Sequence, residues 1–142
     1  LRKCFFVNMR ILGIDYGDKK IGLAFGESQT NVAAPLDVVP NTGEETIRVF
    51  AKHVSSEDID VIAVGVPLST GGHHSSDQLE KTRKFILELE GAVSVPVYEV
   101  DESYTTSESI RLQKEEGAQA EEDALAAMLI VRQFIEEHPE LS

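Results

Sequence analysis

The chain has 142 residues, of which 42% are hydrophobic and 27% are charged, and it contains one cysteine. This length suits one domain with a sizeable core, and the composition excludes a disordered or membrane-embedded chain. The single cysteine, Cys4, excludes an internal disulfide, and residues 1–8 are too short and too weakly apolar for a secretory signal. We therefore expect a soluble, cytoplasmic protein.

The charge balance is acidic, with 25 acidic and 13 basic residues and a formal net charge of −12. An acidic chain repels phosphate at long range, which argues against a nucleic-acid partner. Clustered acids could nevertheless hold a metal ion while local basic side chains meet phosphates. The candidates for such contacts are Lys19, Lys20, Lys81, Arg83, Lys84, Arg111 and Lys114.

Met9 directly precedes the first predicted strand, whereas the chain starts with Leu1. We therefore expect residues 1–8 to be an N-terminal extension. Residues 9–138 are expected to form a single domain, followed by a short tail at residues 139–142.

The first predicted elements form a hairpin. An apolar run ending in Asp15 is followed by a turn at Gly17 and Asp18 and then by alternating apolar residues over 21–25. This pattern predicts two antiparallel strands joined by a tight turn. A carboxylate at the end of a buried strand is costly unless a charged group such as a divalent cation meets it. Asp is also a common turn residue, so Asp15 alone leaves both interpretations open.

The next segments predict an edge strand and a helix. Apolar residues alternate over 31–39, and Pro35 among them indicates an edge strand or a bulge. Thr42 with Glu45 is a predicted capping box for a first amphipathic helix, whose apolar face extends to Val54.

Residues 60–67 form a continuous apolar run, which predicts a parallel strand buried on both faces. Open α/β sheets bind ligands at the carboxyl ends of their strands, so the polar loop over residues 68–76 is a candidate substrate site. No Cys or His cluster accompanies His73 and His74, so we expect them to be solvent-exposed loop residues rather than metal ligands.

A second helix and a further strand follow this loop. Asp77 with Glu80 predicts the cap of the helix. The strand is predicted over residues 94–102 and ends in Asp101 and Glu102. An acid beside a helix N-terminus stabilises the helix by a few tenths to about 1 kcal/mol. This role would account for one of these two acids better than for both.

Residues 105–108 open another predicted helix, and the last helix is predicted from about Glu121 to Glu137. Asp123 lies at the start of the apolar face of that last helix, so its carboxylate should point toward the sheet. A helix-dipole role is the alternative, although the acids beside Asp123 already supply that charge.

The acids Asp15, Asp101, Glu102 and Asp123 thus fall at two strand ends and one inward-facing helix start. Hard oxygen ligands suit Mg²⁺ or Mn²⁺, and two such ions can activate water and stabilise the leaving oxygen in phosphodiester hydrolysis. We expect these four acids to be catalytic. Asp15, Glu102 and Asp123 are the expected metal ligands, with Glu102 preferred over Asp101 for its longer reach.

Four segments occur in a distinctive order: GIDYGDKKIGLA from Gly13, VGVPL from Val64, DESYTT from Asp101 and DALAA from Asp123. Over about residues 9–137 the chain thereby resembles the YqgF/RuvX family of ribonuclease H-like nucleases, which is related to Holliday-junction resolvases. Lys20 and Ser103 stand where the family usually has arginine, so the bidentate fork is lost at the first position and the charge at the second.

The resemblance implies a ribonuclease H-like three-layer α/β fold. Its mixed five-stranded sheet combines an antiparallel meander with parallel strands and has helices on both faces. The implied activity is a two-metal nuclease, with Mg²⁺ or Mn²⁺, that matures the 5′ end of pre-16S ribosomal RNA. Its acids map onto Asp15, Asp101 or Glu102, and Asp123. The expected substrate contacts are Lys19, Lys20, Ser69, Gly71, Gly72, Thr105 and Thr106.

Three alternatives stay open at this point. Cleavage of branched DNA junctions would use the same metal site. The Gly-Ile-Asp-x-Gly motif also resembles the first phosphate loop of actin-like ATPases, although those close two such domains around a nucleotide and this chain supplies one. A non-catalytic RNA-binding assembly factor is the third alternative, with which Ser103 and the acidity are compatible. A monomer and a homodimer are both compatible with the sequence.

Overall fold

The computed structural model describes residues 8–67, 75–102 and 122–141. The helix predicted at residues 105–108 and most of the predicted loop over residues 68–76 lie outside this part of the chain. So do ten residues singled out above, namely Ser69, Gly71, Gly72, His73, His74, Ser103, Thr105, Thr106, Arg111 and Lys114.

The described elements follow the predicted order, in which three strands come first and helices then alternate with strands. They are β1 (Arg10–Asp15), β2 (Lys20–Glu27), β3 (Val32–Pro40), α1 (Glu44–Ser56), β4 (Val61–Val66), α2 (Ser75–Ala92), β5 (Val97–Asp101), α3 (Glu122–Glu137) and a short 3₁₀ helix (Pro139–Leu141). None of the described helices has the length and apolar character needed to cross a bilayer.

The five strands form one mixed sheet in the order β3-β2-β1-β4-β5. The first three strands pair antiparallel, whereas β4 runs parallel to both β1 and β5. The predicted fold is therefore confirmed. Because β1, β4 and β5 run the same way, their carboxyl ends meet at one edge of the sheet, and this edge carries Asp15, Asp101 and Glu102.

Two hydrophobic cores sandwich the sheet. Side chains alternate along β1, so Leu12 and Ile14 point into the core beneath α1 and α2 while Ile11 points into the core beneath α3. All six residues of β4 are buried, as the apolar run predicts for a strand covered on both faces. The sheet is thus enclosed by helices on its two faces.

Strand β3 has both features that Pro35 indicates. It lies at the edge of the sheet, and its register with β2 shifts between Leu23 and Ala24 so that Leu36 is an extra residue. Leu36 and Val32 are exposed, at 47% and 49% of their surface.

Two helix starts differ from the predictions. The capping box at Thr42 and Glu45 is wrong, because α1 has Gly43 at its N-cap and no side-chain cap. The Thr46 hydroxyl instead accepts a hydrogen bond from the Thr42 amide and donates one to the Pro40 carbonyl. These two bonds fix the chain before the helix to the first helical turn. The second cap is also wrong, because α2 begins at Ser75 and Asp77 therefore lies inside its first turn.

Candidate active site

Asp15 is the last residue of β1, in the middle of the sheet. It is partly buried and lies in register with Gly22 of β2. The ring of Tyr16, the next residue, packs on Phe85 of α2 with the ring centroids 4.7 Å apart. Asp15 is therefore held between a neighbouring strand and a helix-anchored turn.

Glu102 follows the end of β5, two strands away from Asp15. The intervening strand carries Gly65, where an added Cβ would lie 3.3 Å from the Glu102 Cβ. Glu102 forms a side-chain hydrogen bond with Asp15 across this gap, while Asp101 pairs in register with Val66. As preferred from its reach, Glu102 rather than Asp101 meets Asp15.

Asp123 lies in the first turn of α3, on the side of that helix facing the sheet. One of its carboxylate oxygens, Oδ2, lies 3.3 Å from the Lys20 Nζ. The Asp123 charge also raises the pKa of Asp15, so the two carboxylates are electrostatic neighbours. The fold thus brings Asp15, Glu102 and Asp123 to one edge of the sheet.

The proximity of these acids changes their protonation. Removal from water raises the pKa of Asp15 to about 8, and the charges of Glu102 and Asp123 and the hydrogen bond to Glu102 act in the same direction. Removal from water and the Asp101 charge raise the pKa of Glu102, whereas its hydrogen bond with Asp15 lowers it. Near neutral pH, Asp15 therefore carries a proton and donates it in the hydrogen bond to Glu102.

The donor set fits a hard divalent cation in its chemistry. All its candidate ligands are carboxylate oxygens, and the charges of Glu102 and Asp123 together with burial raise the pKa of Asp15, as crowded carboxylates without a cation between them do. Over residues 8–67, 75–102 and 122–141, no three acid, histidine or cysteine side chains are arranged to hold an ion as they stand. Asp123 is paired with Lys20 through Oδ2, so a metal ion at this edge would compete with the lysine for that carboxylate.

Several of the basic residues considered for phosphate contacts are already paired. Lys81 of α2 lies 3.4 Å from Asp18 and 3.5 Å from Asp77, and Arg83 donates two hydrogen bonds to Glu99. These pairs fasten α2 to the hairpin turn and to β5. Two other basic side chains are exposed and have no ion-pair partner in the described ranges: Lys19 and Lys84.

Three contacts that shape this site were not predicted from the sequence. Gly22 meets the backbone of the first turn of α3, Phe85 packs on Tyr16, and Lys81 pairs with Asp18. A glycine inside a strand signals a close approach by another backbone, so Gly22 carried a usable signal. The other two contacts join residues more than sixty positions apart and leave no local pattern.

A mixed sheet in the order β3-β2-β1-β4-β5 with helices on both faces is a ribonuclease H-like fold, and here it carries acids at the ends of β1 and β5 and at the start of α3. A family model described as "RuvX: Holliday junction resolvase" matches residues 9–137. The chain belongs to this family, as its four ordered segments predict.

Curated relatives agree with this assignment, and solved structures share the fold. Proteins from Syntrophus aciditrophicus and Pseudomonas savastanoi, both provisionally named pre-16S rRNA nucleases, are 33% and 36% identical to the chain. These matches cover 90% and 92% of the chain and 89% and 94% of the relatives. A Thermus thermophilus RuvC structure with a Holliday junction substrate has a TM-score of 0.60 at 16% identity, covering 94% of this chain and 97% of its own. The fowlpox virus resolvase gives 0.55 at 14% identity, covering 91% and 98%.

Proposed function

We propose that residues 9–138 form a metal-dependent nuclease that processes the 5′ end of pre-16S ribosomal RNA. The observation that carries this proposal is the set of three interacting carboxylates, Asp15, Glu102 and Asp123, at the carboxyl edge of the parallel strands. Open α/β sheets bind their ligands at this edge. The ribosomal substrate also implies a cytoplasmic location.

Asp15, Glu102 and Asp123 would hold Mg²⁺ or Mn²⁺, and Asp101 adds negative charge beside Glu102. Bound divalent ions lower the pKa of an attacking water and stabilise the leaving oxygen of a phosphodiester, and a pair of ions does both. Before Asp15 can act as a ligand, it must lose the proton that it shares with Glu102. Lys20, whose side chain is 58% exposed, would contact a substrate phosphate, with Lys19 beside it in the turn.

The relatives support RNA as the substrate, because both carry the name of a pre-16S rRNA nuclease and match nearly the whole chain. Branched DNA is the second candidate, favoured by the description of the family model. The same carboxylates would serve both substrates, so the residues at the site do not separate them. Side-by-side assays on an RNA fragment and a four-way DNA junction do.

The substitution Asp15→Asn tests the proposal. It removes a ligand charge and almost no volume, so cleavage of a 5′-extended 16S RNA fragment in Mn²⁺ should fall to background. Because the amide is neutral at every pH, it avoids the free-energy cost of the raised pKa of the buried carboxyl, and thermal unfolding should remain cooperative with an undiminished midpoint. Glu88→Gln, which removes an exposed acid from α2, is the matched control and should cleave like the parent. Equal cleavage by the parent and Asp15→Asn would exclude the carboxylate site, and RNA binding without cleavage by the parent would favour an assembly factor.

A further inference from the structure

We propose that Gly22 is a positioning residue, whose missing side chain sets the location of the Asp123 carboxylate relative to Asp15. This inference rests on the proposed function, because it matters only if these acids bind a metal ion. Gly22 lies in β2 and pairs in register with Asp15 of β1. It has no side chain with which to touch an ion or a substrate, so it would act entirely through Asp123.

The contact at Gly22 is made by backbone atoms. A Cβ added there would collide with the carbonyl oxygen and carbon of Asp123 and would lie 2.9 Å from the amide nitrogen of Ala124. A side-chain neighbour could rotate away, but these atoms belong to the first turn of α3 and can move only with the helix. Any larger residue at this position must therefore displace the start of α3.

The geometry links this contact to the site in two ways. Because Gly22 is the register partner of Asp15, a helix start seated on Gly22 lies beside Asp15, and the Asp123 charge acts on that carboxyl. Lys20 lies two residues earlier on the same strand and therefore faces the same side of the sheet, where it pairs with Asp123 at 3.3 Å. The close contact of α3 with Gly22 thus positions both Asp123 and its partner Lys20.

Other glycines also face α3, and they separate positioning from ordinary packing. At Gly13 an added Cβ would lie 2.8 Å from the Ala127 carbonyl oxygen, and at Gly26 it would collide with a Val131 methyl group and lie 2.8 Å from the Val32 carbonyl oxygen. At Gly65 it would meet the Ile130 side chain. The contacts with Ala127, Ile130 and Val131 let the middle of α3 pack close to the sheet. Among the glycines with described surroundings, only Gly22 meets the backbone of Asp123.

Gly26 provides a matched control because it lies on the same strand and the same face as Gly22. Gly22→Ala and Gly26→Ala both insert one methyl group beneath α3, so both should lower the unfolding midpoint. The Mn²⁺ affinity should separate them. Displacing a ligand through its support typically costs about 10- to 100-fold in metal affinity, which is the loss expected for Gly22→Ala. Gly26→Ala should stay within about twofold of the parent.

The measurement is Mn²⁺ binding to the full chain by electron paramagnetic resonance, at a temperature where all three proteins are folded. Equal Mn²⁺ affinities for the two variants would overturn the positioning role while leaving the proposed function intact. Absence of Mn²⁺ binding by the parent would instead contradict the proposed function. The two failures are therefore distinguishable.

Asp123→Glu keeps the test decisive if Gly22→Ala does not fold. When the first turn of α3 is fixed against β2, the helix cannot retreat to absorb one extra methylene, so this variant should lose about tenfold or more in Mn²⁺ affinity. Unchanged Mn²⁺ affinity would show that the helix start adjusts freely, and that outcome would overturn the proposal.

Discussion

Among single residues, the carboxylates of Asp15, Glu102 and Asp123 lie close together, and Lys20 is paired with one of them. Asp15 is desolvated at the end of β1, faces Glu102 and Asp123, and retains a proton near neutral pH. Lys20 forms an ion pair with Asp123, but the lysine side chain is 58% exposed, so this pair adds little to stability. A divalent cation would replace both the proton and the lysine as the partner of these carboxylates.

The raised pKa of Asp15 predicts how metal-free stability changes with pH. Between the ordinary value of 3.8 and about 8, the folded state retains a proton that the unfolded state has lost. The contribution of Asp15 to the unfolding free energy is therefore complete below about pH 4 and is lost as the pH rises toward 8. Urea unfolding in EDTA should show this decline for the parent and a smaller decline for Asp15→Asn. Identical pH profiles would contradict the assigned protonation.

At the scale of elements, aromatic packing fastens the helices to the strand that ends in Asp15. Phe85 of α2 packs on Tyr16 and meets Phe50 of α1 edge-on, with centroids 6.0 Å apart. The Arg83–Glu99 pair joins the same helix to β5. Two of the strands that end at the site are thus braced by α2.

Phe50→Ala tests this bracing, since Phe50 is completely buried. Truncating a buried phenylalanine leaves a cavity, and the unfolding free energy should fall by about 3–5 kcal/mol. Val49→Ala on the exposed side of α1 is the control and should cost less than about 0.5 kcal/mol. Chemical denaturation measures both changes, and comparable losses for the two variants would show that Phe50 has no special role in the core.

At the scale of the whole molecule, the net charge of −12 opposes binding of a polyanion. The paired states of Lys81 and Arg83 strengthen this opposition, because these cations already serve neighbouring acids. Metal ions at the carboxylate edge would reverse the local charge where the substrate must approach.

Nucleic-acid binding should therefore depend on metal. EDTA-treated protein should bind RNA weakly, and Mg²⁺ or Mn²⁺ should restore binding. Without metal, Asp123→Asn should bind RNA at least as well as the parent, because one repelling charge is gone. Fluorescence anisotropy with labelled RNA measures this. A basic-patch binder would behave differently, being indifferent to EDTA and weakened by Lys19→Ala or Lys20→Ala.

The sequence predicts the fold well where a single pattern determines an element. The buried run of β4 and the apolar face of α3 are such patterns. Strand β5 is shorter than its predicted span of residues 94–102, because its ladder to β4 begins at the pair Ile62–Val97. At the start of α1, the Thr46 hydroxyl bonds to Thr42 and Pro40 in place of the predicted capping box, and the local motif does not reveal these contacts.

The candidate site shows the same division. Element ends alone predict that Asp15, Glu102 and Asp123 share one edge of the sheet. The ion pair between Lys20 and Asp123 depends on the seating of α3 against β2, which no local periodicity encodes. The close contact between Gly22 and the backbone of α3 is therefore visible only in the three-dimensional structure.

A crystal soaked in Mn²⁺ would show whether these carboxylates form a metal site. An anomalous difference map should show Mn²⁺ between Asp15, Glu102 and Asp123, with oxygen ligands at about 2.0–2.3 Å and Lys20 displaced from Asp123. The same map for Asp15→Asn should show a weaker peak or none. A peak elsewhere, or no peak in the parent with the Lys20–Asp123 ion pair intact, would contradict the account.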